Sequence, residues 1–240
     1  MAGHSKWANI KHKKERADKK KGKLFSRLAK EIISAVKQGG ADLKTNSKLR
    51  MIIQKAKIEN LPNEIIERNI KKAGSINQKD FYEMTYELYG HGGVGIILDI
   101  MTDNKNRIAS EIRIATNKCG GSIATPGAVS YNFERKGVIQ VKKDQAIEEE
   151  LFSVVTESGA EGFDEEGEFF IITTLPEDFI KVKEAIKEKK IKITEASVEM
   201  LPKIIISCNT EDKAANNKLI EWLENLNDLD AIYHNMDMTE

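Results

Sequence analysis

Apolar side chains recur at helical spacing in the stretch that follows the first 24 residues. Phe25, Leu28, Ile32 and Val36 fall on one face of a helix. The Gly-Gly pair at 39–40 is a typical stop, because glycine accepts the backbone conformation that follows a last helical turn. The pattern therefore predicts a helix that buries one stripe against a neighbouring element.

Two further helices are predicted by their caps and their apolar stripes. Asn46 or Ser47 is suited to cap the second helix, and Pro62 to open a third that ends at Gly74. Residues 22–74 are therefore predicted to form a small helical bundle, whose apolar stripes are its core.

The periodicity changes to that of strands near Phe81. Residues 84–89 and 94–101 are β-favouring runs on either side of the sequence GHGGVG. Those glycines match a phosphate-binding pattern, but that pattern requires a helix after it, and a strand follows here. A hairpin turn is therefore favoured over a cofactor site. A helix over 106–118 and a strand over 128–133 come next.

The next stretch repeats strands and helices in the order β-α-β-β-α-β, which is that of the ferredoxin-like fold. The predicted elements are strand 138–141, helix 145–157, strands 160–163 and 168–173, helix 176–189 and strand 191–198. Strand 203–207, helix 211–223 and strand 229–234 end the chain. This last unit is too small to bury a core alone, so it is expected to complete the earlier sheet.

These patterns predict an α+β multidomain protein, with an N-terminal helical bundle followed by two α/β domains. Residues 1–76 form a basic arm and helical domain. Residues 77–135 and 201–240 form a discontinuous α/β domain, and 136–200 an inserted acidic ferredoxin-like domain.

Charge is distributed unevenly, although the formal net charge of the chain is zero. The first thirty residues carry eleven Lys and Arg against two Asp and Glu, a net charge of +9. Residues 1–72 reach +13, whereas residues 137–200 hold eight Lys against sixteen Asp and Glu, a net charge of −8. Such asymmetry is typical of proteins that contact nucleic acid.

The basic residues and their aromatic neighbour are candidates for nucleic-acid binding. Lys and Arg neutralise phosphates, and Trp7 suits stacking on an unpaired base. Packing of Trp7 on the helical bundle is an equal alternative. The basic arm, up to Leu24, has too few apolar residues to form an ordered structure by itself. The candidates are His4, Lys6, Trp7, Lys11, His12, Lys13, Lys14, Arg16, Lys19, Lys20, Lys21, Lys23, Arg27, Lys48, Arg50 and Arg107.

Arg107 belongs to the segment TDNKNR, between a strand and a helix. Asp103 or Asn104 is expected to cap that helix. A cation in the first turn is disfavoured by the helix dipole, so Arg107 is expected to reach a phosphate or a carboxylate.

No catalytic constellation or metal-ligand spacing stands out, so we expect a protein that is not an enzyme and needs no cofactor or metal. The two cysteines have no metal-type spacing, which predicts reduced thiols in the cytoplasm. No apolar run is long enough to span a membrane.

Five sequence segments resemble those of the YebC/PmpR family and its mitochondrial translational-activator relatives. They are AGHSKWANIKHKKERADKKKGKLFSRLAKEI, YELYGHGGVG, TDNKNR, NKCGGS with PGAVSYNF, and YHN. The resemblance runs the whole length of the chain. His91 stands where the family commonly has Pro, and Glu161-Gly162 where it has Glu-Asp.

The resemblance implies three domains, the third inserted into the second, and a cytosolic protein that is not an enzyme. Family members are described as DNA-binding transcriptional regulators and as translation factors that contact ribosomal RNA. A regulator that binds DNA or ribosomal RNA is therefore expected, with the ribosome as a further candidate partner. The alternative is a protein-interaction or self-assembly module whose arm binds acidic protein surface.

Overall fold

The computed structural model describes residues 17–74 and 80–238. It confirms the predicted α+β fold class: among these residues three helices come first, and two β-sheets with further helices follow. The described residues fall into two compact units. One holds residues 17–126 and 208–232, and the other holds 127–207 and the residues from 233 onward. The predicted three-domain division stays a prediction.

Three helices open the first unit: α1 (Ala17–Gly39), α2 (Ser47–Ile58) and α3 (Asn63–Ala73). Helix α1 packs against both others. It starts well before Phe25, so the expectation that residues up to Leu24 have no ordered structure is wrong for residues 17–24. The predicted core is confirmed, with Leu28, Ile32, Leu49, Ile53 and Ile66 among its buried members.

Asn46 joins α1 to α2. Its Oδ1 accepts a hydrogen bond from the Leu49 N–H at 2.9 Å, which confirms Asn46 as an N-cap. Its Nδ2 donates to the carbonyl oxygens of Ala35 and Gly40, each at 2.8 Å. Gly40 has φ +81°, as the predicted helix stop requires. One buried side chain thus satisfies the end of one helix and the start of the next.

The first sheet has four strands in the order β3 (Ser122–Ile123), β1 (Tyr82–Tyr89), β2 (Gly95–Thr102) and β8 (Leu229–His234). Strands β1 (Tyr82–Tyr89) and β2 (Gly95–Thr102) pair antiparallel, from Tyr82 opposite Thr102 to Tyr89 opposite Gly95. Helix α4 (Lys105–Cys119) leads to β3 (Ser122–Ile123), a two-residue strand that the sequence did not predict. After the second sheet, helix α7 (Thr210–Glu224) and strand β8 (Leu229–His234) follow. Helices α4 and α7 contact each other.

The second sheet has four strands in the order β5 (Ala160–Glu166), β6 (Phe169–Thr174), β4 (Phe133–Lys142) and β7 (Ile193–Pro202), with antiparallel pairing throughout. Together with its two helices this is the predicted ferredoxin-like arrangement. Its elements are β4 (Phe133–Lys142), α5 (Glu148–Ser158), β5 (Ala160–Glu166), β6 (Phe169–Thr174), α6 (Phe179–Glu188) and β7 (Ile193–Pro202). Its core includes Ile139, Leu151, Val155, Ile172 and Val182.

Two predicted strands are wrong. Residues 128–132 form a turn that ends in a 3₁₀ helix at Ser130–Asn132, closed by a hydrogen bond from the Asn132 N–H to the Val129 carbonyl oxygen at 3.1 Å. Residues 203–207 make only one bridge, between Ile206 and Met236. Both stretches are apolar enough for a strand, but neither has a neighbouring strand of matching length.

No helix among residues 17–74 and 80–238 has both the length and the apolar character needed to cross a membrane.

Candidate nucleic-acid interface

The predicted binding residues divide into three groups. His4, Lys6, Trp7, Lys11, His12, Lys13, Lys14 and Arg16 lie outside the described residues. Lys19, Lys20, Lys21 and Lys23 belong to α1. The structure describes the side chains of the last four candidates. Lys48 and Arg50 belong to α2. Arg27 and Arg107 lie at a cluster of carboxylates.

Helix α2 carries four cations and no carboxylate. Its buried face is made of Leu49, Ile52, Ile53 and Ala56. With 3.6 residues per turn, Lys48 and Lys55 lie on one flank of the exposed side, and Arg50 and Lys57 lie on the other. All four are exposed.

Between these flanks, Ser47, Met51 and Gln54 form the crest of α2, opposite the buried face. Met51 is 69% exposed, which is high for a large apolar side chain. We call Lys48, Arg50, Met51, Gln54, Lys55 and Lys57 the basic ridge. Sequence reasoning found Lys48 and Arg50 and overlooked Met51 and Gln54.

The ridge cations already have local contacts. Lys48 Nζ donates to Gln38 Oε1 at 3.2 Å, and Arg50 Nη1 to the Leu43 carbonyl oxygen at 2.7 Å. Lys55 Nζ lies 3.5 Å from Glu31 Oε1. Since the partners of Lys48 and Arg50 are neutral, both retain their full positive charge toward solvent.

Arg27 points into a cluster of carboxylates at the edge of the first sheet. Its Nε donates to Glu31 Oε1 at 2.8 Å and lies 3.7 Å from Asp230 Oδ2. Only 8% of the Asp230 side chain is exposed. Burial raises the pKa of Asp230 to about 6, which outweighs the lowering by Arg27 and Lys30.

Arg107 reaches the same cluster from the first turn of α4. It is ion-paired with Asp228 and lies 2.7 Å from Asp103 Oδ1. Hydrogen bonds to these carboxylates, first to Asp228, raise the pKa of Arg107 above its ordinary value. Asn104 is the N-cap, as predicted, with its Oδ1 accepting from the N–H groups of Asn106 and Arg107. The carboxylates thus offset the unfavourable position of the cation.

Lys30 is a residue of this cluster that sequence reasoning missed. Its Nζ donates to the Met101 carbonyl oxygen at 2.9 Å and lies 3.8 Å from Asp228 Oδ1. The ammonium also lies 5.8 Å from the centre of the Phe81 ring. We call the set Arg27, Lys30, Glu31, Arg107, Asp228 and Asp230 the carboxylate junction. It joins α1 and α4 to the strand β8 region, and a role of Arg27 or Arg107 in nucleic-acid binding stays a prediction.

The GHGGVG segment forms the predicted hairpin turn between β1 and β2. Gly92 and Gly93 have φ values of +64° and +82°, which favour glycine. Asn216, fully buried on α7, holds the turn: its Oδ1 accepts from the His91 N–H at 2.8 Å, and its Nδ2 donates to the His91 carbonyl oxygen at 3.0 Å. His91 Nε2 lies 2.9 Å from the Cys119 carbonyl oxygen. Cys119 is buried at the end of α4.

Family models match nearly the whole chain. Residues 5–75 match the TACO1/YebC protein N-terminal domain, and residues 81–236 match the TACO1/YebC second and third domain.

Individual relatives extend this likeness. A protein of Protochlamydia amoebophila called a probable transcriptional regulatory protein is 61% identical over 240 residues, which are 100% of this chain and 98% of the relative. A Chlamydia pneumoniae protein with the same description is 57% identical over 98% of this chain and 100% of its own length. The crystal structure of a conserved hypothetical protein from Aquifex aeolicus matches with a TM-score of 0.74 and 39% identity, covering 91% of each chain.

The two family models together cover residues 5–75 and 81–236, and the relatives are more than half identical to this chain along its full length. Both findings agree with an architecture of helices followed by two sheets. This chain therefore belongs to the TACO1/YebC family.

Proposed function

We propose that this chain is a non-enzymatic, cytoplasmic regulator of gene expression that binds nucleic acid through its basic N-terminal residues and the basic ridge. The relatives named as probable transcriptional regulatory proteins support a regulatory role. The net charge of +13 over residues 1–72 supports a polyanionic partner.

The observation that carries this proposal is the composition of the exposed side of α2. Four exposed cations occur on a 12-residue helix that contains no carboxylate. A helix that only covered a core would gain stability from acidic residues in its first turn, and α2 has none. The absence of acidic residues suits contact with phosphates.

Two targets fit this chemistry: a DNA duplex in transcriptional control, or ribosomal RNA in translation. Lysines that contact phosphates give affinity with little sequence discrimination, so the N-terminal residues alone suit both targets. Co-sedimentation with ribosomes through a high-salt cushion favours RNA, and tight binding to one promoter duplex favours DNA.

The proposal is tested by the salt dependence of binding. If the N-terminal residues make about six phosphate contacts, log affinity plotted against log salt concentration has a slope of about −4 to −5.5. The triple variant Lys11→Gln, Lys13→Gln, Lys14→Gln is expected to weaken binding to every sequence. The matched control is Lys181→Gln, Lys187→Gln, Lys189→Gln in the second unit. Equal affinities of the two triple variants, with a slope near zero, would overturn the proposal.

A second candidate is a protein-interaction module in which the basic residues bind acidic protein surface. The carboxylate junction favours it, because Arg27 and Arg107 already bind carboxylates within the chain. It predicts self-association or protein binding without any dependence on phosphate. Sedimentation analysis of the wild type and the Lys11, Lys13, Lys14 variant, without nucleic acid, distinguishes the two.

A further inference from the structure

We propose that α2 enters the major groove of B-form DNA, with Met51 and Gln54 against the base edges and the flanking cations on the two phosphate backbones. This inference rests on the proposed function and goes further, because it names the target duplex and the residues that read it.

The first argument is the arrangement of charge around α2. Lys48 and Lys55 lie on one flank, and Arg50 and Lys57 on the other, with an uncharged crest between them. A helix on a flat anionic surface needs its cations on the contacting side. A helix within a groove needs them on both flanks, because the phosphates line both walls. The basic ridge has the second arrangement.

The second argument is size. An α-helix with its side chains is about 10–12 Å across. The major groove of B-form DNA is about 12 Å wide and admits a helix, whereas the major groove of A-form RNA is deep and narrow and does not. The outward side of α2 is exposed from Ser47 to Lys57, apart from the buried face. The geometry therefore selects a B-form duplex over an RNA duplex.

The third argument is the chemistry of the crest. Glutamine is able to form two hydrogen bonds with adenine, through N6 and N7, and apolar groups contact the methyl group of thymine. Met51 and Gln54 are three residues apart, so they are neighbours along the crest. Met51 is exposed by 69% and packs against no core, so nothing in the fold requires an apolar residue there. Because Met51 and Gln54 are adjacent on the crest, they are suited to contact an A·T base pair and the base pair next to it.

The acidic residues closest in sequence to α2 lie beyond its ends. Asp42 precedes the helix and uses its Oδ1 to accept from the Lys44 N–H at 2.9 Å. Glu59 is the C-cap residue. Neither position belongs to the crest or to the flanks, so the groove-facing residues of α2 itself are positive or neutral. One flank cation, Lys55, lies 3.5 Å from the Glu31 carboxylate of α1.

The test measures binding of the full chain to three probes by fluorescence anisotropy. These are a 24-base-pair DNA duplex with a central A·T run, the same duplex with a G·C run, and an RNA duplex of the A·T sequence with U in place of T. Gln54→Ala is expected to lower affinity for the A·T duplex by about 5- to 100-fold, and to leave the G·C duplex unchanged. Met51→Ala is expected to act in the same direction.

The flank variant Arg50→Gln, Lys57→Gln is expected to weaken binding to both DNA duplexes equally. The slope of log affinity against log salt concentration is expected to become shallower by about 2. Gln145→Ala in the second unit is the control for Gln54→Ala. Circular dichroism melts show whether each variant is folded, and exposed positions are chosen so that folding is kept.

The outcomes separate this inference from the proposed function. If Gln54→Ala and Met51→Ala bind the A·T duplex as the wild type does, or if the RNA duplex binds as tightly and loses affinity equally on Gln54→Ala, groove reading by α2 is wrong. Salt-dependent binding that still requires Lys11, Lys13 and Lys14 then leaves the proposed function standing. Binding that is independent of salt in every variant overturns both.

Discussion

Arg107 is ion-paired with Asp228, a residue 121 positions later in the sequence. Asp228 Oδ2 also accepts from the Thr102 hydroxyl at 2.8 Å, and only 9% of the Asp228 side chain is exposed. One carboxylate thus connects the end of β2, the start of α4 and the segment that leads into β8. The pair fixes these three places relative to one another.

Replacement of Arg107 is therefore expected to destabilise the fold. Arg107→Gln leaves Asp228 with Thr102 and Lys30 but without its main cation, and is expected to cost about 1–2 kcal/mol in the free energy of unfolding. Urea denaturation of the wild type, Arg107→Gln, Asp228→Asn and the double variant gives the coupling energy. Additive effects of the two single changes would contradict a direct interaction. Arg113→Gln, on the same helix, is the control.

Asp230 predicts a specific dependence of stability on pH. Burial raises its pKa from 3.8 to about 6 in the folded chain, so the folded state binds the proton more tightly than the unfolded state. The stability that comes from protonated Asp230 is present below about pH 4 and is lost as pH rises through about 6. The full change is about 3 kcal/mol.

Asp230→Asn removes this titration. The free energy of unfolding of Asp230→Asn minus that of the wild type is expected to increase between pH 4 and pH 7, and then to level off. Urea denaturation at five pH values measures it. If the free energies of unfolding of the wild type and Asp230→Asn changed in parallel with pH, Asp230 would not titrate in this range. Arg27→Gln removes a cation that lowers the pKa of Asp230, so it is expected to shift the window to higher pH.

Asn46 is expected to be among the most sensitive polar positions of the helical part. Asn46→Ala removes the N-cap of α2 and leaves the Ala35 and Gly40 carbonyl oxygens without its amide, which is expected to cost about 2–3 kcal/mol. Asn46→Ser keeps an oxygen for the cap but no amide donor, and is expected to cost about half as much. Thermal melting measures the order. Equal melting temperatures of the wild type and Asn46→Ala would refute it.

Asn216 is expected to hold the glycine turn in place. Asn216→Ala leaves the N–H and the carbonyl oxygen of His91 without the buried amide, which is expected to cost about 2–4 kcal/mol. Asn217→Ala, exposed on the same helix, is the matched control and is expected to change stability by less than about 0.5 kcal/mol. Hydrogen exchange at the turn distinguishes local opening from global loss of stability.

The sequence predicted most helices and strands because their periodicities are strong and their ends carry clear signals. Gly39, Gly40, Asn46 and the GHGGVG turn all behave as their local chemistry requires. Failures came where a local pattern depends on a distant partner. Residues 203–207 are apolar and β-favouring, but only Ile206 meets another strand segment. Conversely, the two-residue strand β3 has no pattern of its own and exists because β1 is beside it.

The candidate site was predictable in its charge and not in its contacts. Lys48 and Arg50 were found from composition, whereas the exposure of Met51 depends on which face of α2 meets α1 and α3. The junction was also missed, because Arg27 and Asp230 are far apart in sequence. One signal was present: Asp228 and Asp230 are two residues apart at the start of a strand, which places them on one side of it.

Strand β8 is made after the other described strands, and it lies beside β2, which is made early. The ferredoxin-like sheet is complete once residue 202 has emerged, whereas the first sheet waits for residues 229–234. Until then Arg27, Lys30 and Arg107 have neither Asp228 nor Asp230 to bind. In a growing chain Glu31 and Asp103 are already present beside Arg27 and Arg107, and the two carboxylates that complete the junction arrive with the strand that closes the first sheet.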